Sequence, residues 1–234
     1  MKQIVLDTET TGLDPKQGHR IIEIAAIELD NRQVSGRHFH RYLNPEREID
    51  AGAIEVHGLT RERLQDEPKF SEIAPALIEF IRDAELIIHN APFDTGFLNR
   101  ELELAGLPSL ENHCACITDT LKLAKELHPG KKNNLDALCD RYQIDNSRRT
   151  LHGALLDTEL LAEVYLSMTR GQESLLGDGR DEIRAQPAIF PEGAPRLELR
   201  VLLASEDELA HHAQQLNDID KASKGNTLWR QLDV

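Results

Sequence analysis

The chain has 234 residues, 40% of them hydrophobic and 4% aromatic, and a formal net charge of −14. This length allows one domain of ordinary size with an appendage, and no run approaches the roughly 20 apolar residues that cross a membrane. Without a basic and apolar leader, and with an odd number of cysteines that cannot all pair, the sequence predicts a soluble, cytoplasmic protein. The acidic balance argues against a protein that grips DNA by itself, because such binding depends on Lys and Arg neutralising phosphates.

The first 170 residues are predicted to alternate between strands and helices. Apolar β-favouring runs predict strands at Gln3–Glu9, Ile21–Leu29, Gln33–Leu43, Glu85–His89 and Ala115–Thr118. Helical periodicity predicts helices near Ile73–Ile81, Phe93–Ala105, Thr120–Leu127, Leu135–Tyr142 and Ala154–Met168. The first three strands should form an antiparallel meander. The alternation after them favours an α/β fold, a mixed sheet flanked by helices.

The pattern changes after Met168. Residues 171–196 are rich in glycine and proline and are predicted to be a flexible linker. In the tail, residues 197–234, Leu197–Leu203 alternates like a strand, and a capping-box sequence opens a helix from Glu206 to about Asp220. A tail this small can hardly bury a core alone, so it is predicted to fold against a partner.

Four carboxylates and one histidine form the predicted site. Asp7 and Glu9 are two residues apart on the first strand, so they project from the same face. Asp94 follows the fourth strand, which should deliver it to the carboxyl edge of the same sheet. His152 and Asp157 lie at the start of the last long helix of the domain. Five residues turn a helix by about 500°, so a histidine just before the first turn can still reach the site.

These residue types predict metal-dependent chemistry. Converging carboxylates would repel one another without cations, and carboxylate oxygens are the ligands that Mg²⁺ and Mn²⁺ prefer. Two such ions roughly 3.5–4 Å apart activate a water and neutralise the leaving oxygen in phosphodiester hydrolysis. Histidine has an ordinary pKa of about 6.5 and can accept the proton of that water, so His152 is the predicted base.

Three motifs, found in order along the chain, carry a resemblance to a known family. They read Asp7-Thr8-Glu9-Thr10-Thr11-Gly12, His89-Asn90-Ala91-Pro92-Phe93-Asp94 and His152-Gly153-Ala154-Leu155-Leu156-Asp157. The match also covers Val56-His57-Gly58-Leu59-Thr60 and the segment 134–139. The chain thereby resembles the DnaQ-like, or DEDDh, 3′–5′ exonuclease family over roughly its first 170 residues. It is most similar to the proofreading members that serve bacterial DNA polymerase III.

The resemblance implies a ribonuclease H-like fold and two-metal removal of mispaired 3′-terminal nucleotides as monophosphates. Asp7 would bridge both ions, with Glu9 and Asp157 holding the first. Asp94 would support the second, and His152 would deprotonate the attacking water. Implied substrate contacts come from Asp7, Glu9, Thr10, His57, Asn90 and Asp157, with Thr11 as a further candidate. At Gly52 the chain departs from its relatives, which often carry glutamate there.

Sequences beyond the exonuclease motifs predict binding to other proteins. The segment Gln172-Glu173-Ser174-Leu175-Leu176 resembles the bacterial sliding-clamp-binding peptide, with Gln172, Ser174, Leu175 and Leu176 as the binding residues. The sequence around Leu228 and Trp229 resembles a tail that docks on the polymerase subunit. Trp229 is the only tryptophan of the chain and a plausible anchor. The alternative is a frayed terminus with one half-buried tryptophan.

The predicted partners are the polymerase (alpha) subunit of DNA polymerase III, the beta sliding clamp and the single-stranded 3′ end of primer DNA. A small accessory subunit is left open. A partner that holds the substrate would also explain how so acidic a chain acts on DNA. Two alternatives are a stand-alone exoribonuclease of the same superfamily, resembling RNase T or oligoribonuclease, and a non-catalytic tether between polymerase and clamp.

Overall fold

The structure is a computed structural model that describes residues 2–149, 151–170 and 204–223. The chain divides into two compact units, Met1–Gly177 and Asp178–Val234. Among the described helices, none is long and apolar enough to cross a membrane.

Five strands of the first unit form one mixed sheet. They are β1 (Gln3–Thr10), β2 (Ile21–Asp30), β3 (Gln33–Tyr42), β4 (Glu85–Ile88) and β5 (Cys116–Asp119). Their order across the sheet is β3-β2-β1-β4-β5. The first three strands pair antiparallel, whereas β4 lies parallel to both β1 and β5. The predicted meander and the predicted mixed sheet are both confirmed.

Helices cover the sheet within the described part of this unit. They are α1 (Ala51–His57), α2 (Arg61–Leu64), α3 (Phe70–Ile81), α4 (Ala91–Leu104), α5 (Thr120–Leu127), α6 (Leu135–Tyr142) and α7 (Ala154–Met168). The five longer helices that periodicity predicted are all present, although α3 begins three residues earlier than expected. The reason is local, since the Glu72 carboxylate accepts a hydrogen bond from the Lys69 backbone N–H at 3.0 Å and fixes the first turn.

The alternation of side chains along β1 separates two cores. Ile4 and Leu6 pack into the cluster that contains Phe70 and Phe97, from α3 and α4. Val5 packs on the opposite face of the sheet, in the cluster that holds residues of α6 and α7. Because side chains two apart share a face, Asp7 and Glu9 continue the row of Val5 toward the carboxyl end of β1.

The described part of the second unit is one helix, α8 (Glu206–Ala222). The predicted capping box is present, because the Ser205 hydroxyl accepts the Glu208 backbone N–H and the Glu208 carboxylate accepts that of Ser205. The helix runs two residues past the predicted end. The other predictions for the linker and the tail, namely the clamp-binding peptide, the strand and the docking residues Leu228 and Trp229, lie outside the described residues.

Candidate active site

Strand β1 supplies two carboxylates near its carboxyl end. Asp7 pairs with Ala25 of β2, and Glu9 pairs with Glu23. The register between the two strands shifts just after Glu9, so regular pairing ends beside the second carboxylate. Such irregularities often occur next to active sites, where they re-aim side chains.

Asp94 enters the site from the first turn of α4. Asn90 adopts a left-handed conformation, with φ 65° and ψ 50°, and turns the chain sharply from β4 into this helix. The Asp94 carboxylate is buried and accepts a hydrogen bond from the Thr8 hydroxyl at 2.7 Å. Thr8 lies between Asp7 and Glu9 in β1, so this bond ties the start of α4 to the strand that carries the other two acids.

Helix α7 supplies Asp157, and the residues before it supply His152. Asp157 is buried in the first turn, whereas the His152 side chain is 47% exposed. The His152 Nδ1 atom lies 3.4 Å from Asp157 Oδ2. Potential ligand atoms of Glu9, His152 and Asp157 all lie within 4.8 Å of one another. Asp7 and Asp157 also line a common cavity of about 260 Å³.

The charged state of these carboxylates is unfavourable without a cation. Burial, followed by repulsion from Asp157 and Glu23, raises the pKa of Glu9 to about 8. Burial raises the pKa of Asp94 to about 7, although the hydrogen bond from the Thr8 hydroxyl acts to lower it. Burial and then repulsion from Asp94 and Glu9 hold the pKa of Asp7 well above its usual value. Carboxylates in this state bind protons unless a cation neutralises them, so the residues fit divalent metal ions.

One charged residue of the site, Arg149, was not predicted from the sequence. Its Nε and Nη2 atoms donate to the two oxygens of Asp157 at 2.6 and 2.7 Å. Nη1 donates to Asp136 at 2.7 Å, and Nη2 lies 2.8 Å from His152 Nδ1. Burial alone would raise the pKa of Asp157, but the hydrogen bonds from Arg149 hold that pKa below its usual value.

A signal for Arg149 was present in the sequence. Arg148 and Arg149 are adjacent basic residues just before His152, in a chain whose net charge is −14. Basic residues beside predicted acidic ligands are candidates for pairing with them.

A second cavity, of about 380 Å³, opens beside Glu9. It is lined by Thr8, Glu9, Thr10, Gly12, Leu13, Asp50, Gly52, Ala53, Val56, His57 and Phe93. His57 is the last residue of α1 and is buried, with only 6% of it exposed. Its Nδ1 accepts the Leu59 backbone N–H at 3.0 Å. Its buried Nε2 makes no hydrogen bond of normal geometry within the described part of the chain. Burial lowers the pKa of His57, against an opposing contact with the Thr10 backbone.

The other predicted substrate residues have different surroundings. Thr10 lines this second cavity, and its hydroxyl donates to the Gly12 carbonyl at 2.6 Å. The buried hydroxyl of Thr11 is used within the fold, where it accepts the Arg20 backbone N–H and lies 3.1 Å from His19 Nδ1. Asn90 is exposed at the start of α4. Of the two threonines, therefore, only Thr10 lines the second cavity.

Comparison with known proteins defines the class of protein. A profile of the exonuclease family matches residues 4–165, more than half of the chain. The chain therefore belongs to the exonuclease family. Exonuclease X in complex with 5′-overhanging duplex DNA is 25% identical with a TM-score of 0.56, over 71% of this chain and 90% of that one. Exonuclease I of Methylocaldum szegediense, 19% identical with a TM-score of 0.64 over 74% and 41% of the two chains, supports the fold alone.

Relatives that match nearly the whole chain show which type of exonuclease it is. DNA polymerase III subunit epsilon of Pasteurella multocida is 49% identical over 97% of this chain and 93% of its own length. The epsilon subunit of Escherichia coli is 47% identical over 98% and 97% of the two chains. By this similarity the chain is a 3′–5′ exonuclease of the proofreading, polymerase III epsilon type. The similarity extends beyond the exonuclease domain, which favours this type over the stand-alone exoribonuclease.

Proposed function

We propose that this chain removes mispaired 3′-terminal nucleotides with two divalent metal ions, Mg²⁺ or Mn²⁺, held by Asp7, Glu9, Asp94 and Asp157. The observation that carries the proposal is the convergence of Glu9, His152 and Asp157 ligand atoms within 4.8 Å, beside the raised-pKa carboxylates of Asp7 and Asp94. The bound ions would supply an activated water and a neutralised leaving oxygen.

The resemblance to the family implies a role for each ligand. Asp7, which lines the same cavity as Asp157 and is a close electrostatic neighbour of Asp94 and Glu9, would help to hold both ions. Glu9 and Asp157 would hold the first ion, and Asp94 would support the second. The bond from the Thr8 hydroxyl orients the Asp94 carboxylate, as partners in the outer shell of a metal site do.

His152 would accept the proton of the attacking water. Its side chain is half-exposed at the mouth of the site, where solvent can take the proton away. A base of this kind typically contributes about 10²–10⁴-fold to the rate.

The terminal nucleotide would occupy the cavity beside Glu9. Its volume of about 380 Å³ suits a nucleotide-sized ligand. Leu13, Val56 and Phe93 provide apolar walls, and the unpaired Nε2 of His57 offers a hydrogen bond. A buried polar atom without a partner carries a desolvation cost, which a bound nucleotide would relieve.

The chain would work in the cytoplasm as part of a larger replication assembly. The tail would bind the alpha subunit through Leu228 and Trp229, and the linker would bind the beta clamp through Gln172, Ser174, Leu175 and Leu176. Two apolar side chains of α8, Leu209 and Ile219, are about half exposed, as expected of a helix that awaits a partner. The accessory subunit stays an open prediction.

An activity assay tests the proposed site. The chain is incubated with Mg²⁺ and a DNA primer that carries a mispaired 3′ end, and released mononucleotides are counted. Asp157→Asn should slow their release by about 10²-fold or more, because it removes a ligand charge that supports the transition state. Asp66→Asn makes the same change at an exposed residue and should leave the rate unchanged. Equal rates for wild type and Asp157→Asn would contradict the ligand assignment.

A further inference from the structure

A cation that belongs to the chain itself already holds Asp157. The Arg149 guanidinium contacts both carboxylate oxygens at 2.6 and 2.7 Å, and its side chain is only 7% exposed. This two-point, charge-assisted contact is among the stronger polar contacts that proteins make. It involves the same oxygens that a metal ion at Asp157 would need.

Arg149 and a metal ion cannot both use Asp157 in this geometry. The two positive charges would lie within a few ångströms of each other and repel strongly in a partly buried site. Guanidinium offers only donors and cannot lose its proton in a protein, so it has no way to adapt by deprotonation. Metal binding at Asp157 therefore requires the guanidinium to leave.

The same contact constrains His152. Because guanidinium can only donate, the His152 Nδ1 atom that lies 2.8 Å from Nη2 must act as an acceptor. A neutral imidazole that accepts through Nδ1 carries its proton on Nε2. With Arg149 in place, one nitrogen of the predicted base is occupied and the other already has a proton.

Asp136 gives Arg149 a second position outside the ligand set. The guanidinium Nη1 donates to Asp136 Oδ1 at 2.7 Å, and the Asp136 side chain is half-exposed at the start of α6. Arg149 belongs to the connection between α6 and α7, held by a turn in which its backbone N–H donates to the Asn146 carbonyl at 2.9 Å. A rotation of the side chain could break the contact with Asp157 and keep the contact with Asp136.

We propose that Arg149 is an internal cation that exchanges with the metal ion. It occupies Asp157 when the site holds no metal, and it withdraws to Asp136 when a divalent ion binds. The inference depends on the proposed metal site. It assigns Arg149 a positioning role: the residue limits repulsion among the carboxylates before loading, and it releases His152 and Asp157 together when the metal arrives.

NMR of ¹⁵N-labelled arginine side chains tests the exchange without measuring activity. Adding Mg²⁺ should shift the Arg149 Nε–H signal, identified by its loss in Arg149→Ala, and remove its protection from hydrogen exchange. Arg20 is an internal control, since its Nε makes a similar 2.7 Å bond to Glu101, which lies outside the proposed ligand set. A protected, unshifted Arg149 signal under Mg²⁺ concentrations that saturate the site would overturn the proposal.

Calorimetry of Mn²⁺ binding gives a second test. Arg149→Ala should bind Mn²⁺ about tenfold more tightly, because the variant lacks a charge-assisted hydrogen bond that competes with the metal for Asp157. Arg148→Ala is the matched control, because it removes the same charge from an adjacent, 79% exposed side chain and should bind as wild type does. Circular dichroism of the metal-loaded proteins verifies their folding.

The outcomes of calorimetry separate the two proposals. Weaker or unchanged Mn²⁺ binding by a folded Arg149→Ala protein would overturn the exchange and leave the metal site standing. Equal tightening by Arg148→Ala would also overturn it, because net charge alone would then be the cause. No Mn²⁺ binding by either wild type or Arg149→Ala would overturn the metal site itself.

Discussion

Glu9 is placed between two other carboxylates. Asp157 approaches it from α7, and Glu23 lies directly opposite it on β2. Glu23 is buried and lies 2.8 Å from His40 Nε2, so it already has a polar partner within the fold. Glu9 has a raised pKa of about 8, and a metal ion would remove the cost of ionising it. Metal binding near neutral pH should therefore release protons from this residue.

The raised pKa values predict an unusual pH dependence for the metal-free protein. Glu9 and Asp94 titrate near pH 8 and 7 in the folded chain, against ordinary values of 4.5 and 3.8. The folded state then holds more protons than the unfolded state between about pH 4 and 8, so stability falls as pH rises through this window. Thermal melts in EDTA at pH 6 and pH 8.5 should show a lower melting temperature at the higher pH.

A variant isolates the contribution of Glu9 to that pH dependence. Glu9→Gln cannot ionise, so the difference between its melting temperatures at the two pH values should be smaller than in wild type. Glu55→Gln changes an exposed glutamate and serves as the control. If Glu9→Gln and wild type lost stability equally, the raised pKa of Glu9 would not be the cause.

The strands and helices that the sequence predicted are those in which apolar residues recur with a clear period. The strands alternate or form apolar runs, and the longer helices repeat their apolar residues, so both were found with small errors at their ends. Helices α1 and α2 were missed, because seven and four residues are too short to show helical periodicity. The failure to predict α1 mattered for the site, since α1 buries His57 and lines the cavity beside Glu9.

For Arg149, the basic pair before His152 marks a candidate residue, but the sequence does not indicate which acids it contacts. Its contacts reach forward to Asp157 on α7 and back to Asp136 on α6, and they depend on how the two helices pack. The acidic residues were easier to find, because strand and helix geometry alone brings Asp7 and Glu9 to one face. A long, flexible side chain has no periodic signal that indicates its partner.

The connection between β1 and β2 depends on Gly12. A Cβ atom there would lie 2.2 Å from Cε1 of His19, whose ring is buried and bonded to Thr11. Gly12→Ala should destabilise the protein by about 1–3 kcal/mol through overpacking, measured by urea unfolding. Adding His19→Ala should recover part of that loss, since it removes the clash. Gly52→Ala, with open space around it, is the control; a neutral Gly12→Ala would refute the packing argument.

For the whole molecule, the charge of −14 is consistent with a nuclease that relies on other proteins to hold DNA. The relatives are named as polymerase III subunits and match this chain almost from end to end. A weak peptide contact becomes effective once a second contact tethers the chain, because the tether raises the local concentration. The linker and tail would therefore act together.

The segment from Gln172 to Leu176 is predicted to bind the beta clamp. Replacing Gln172, Leu175 and Leu176 together with alanine should weaken binding to the beta clamp and spare digestion of a short free oligonucleotide. Glu173→Ala, within the same segment but outside the predicted anchors, should bind normally. The effect should be larger when polymerase, clamp and primed DNA are assembled. Calorimetry showing equal clamp affinity for wild type and the triple variant would exclude this contact.

Asp7, Glu9, Asp94 and Asp157 are proposed to hold a pair of divalent ions. Anomalous diffraction from crystals soaked with Mn²⁺ and a nucleoside monophosphate would locate these ions. We expect two anomalous peaks roughly 3.5–4 Å apart, both next to Asp7, with Arg149 withdrawn from Asp157. Saturating Mn²⁺ that gave no peak at these carboxylates, or peaks only elsewhere on the chain, would contradict the proposal.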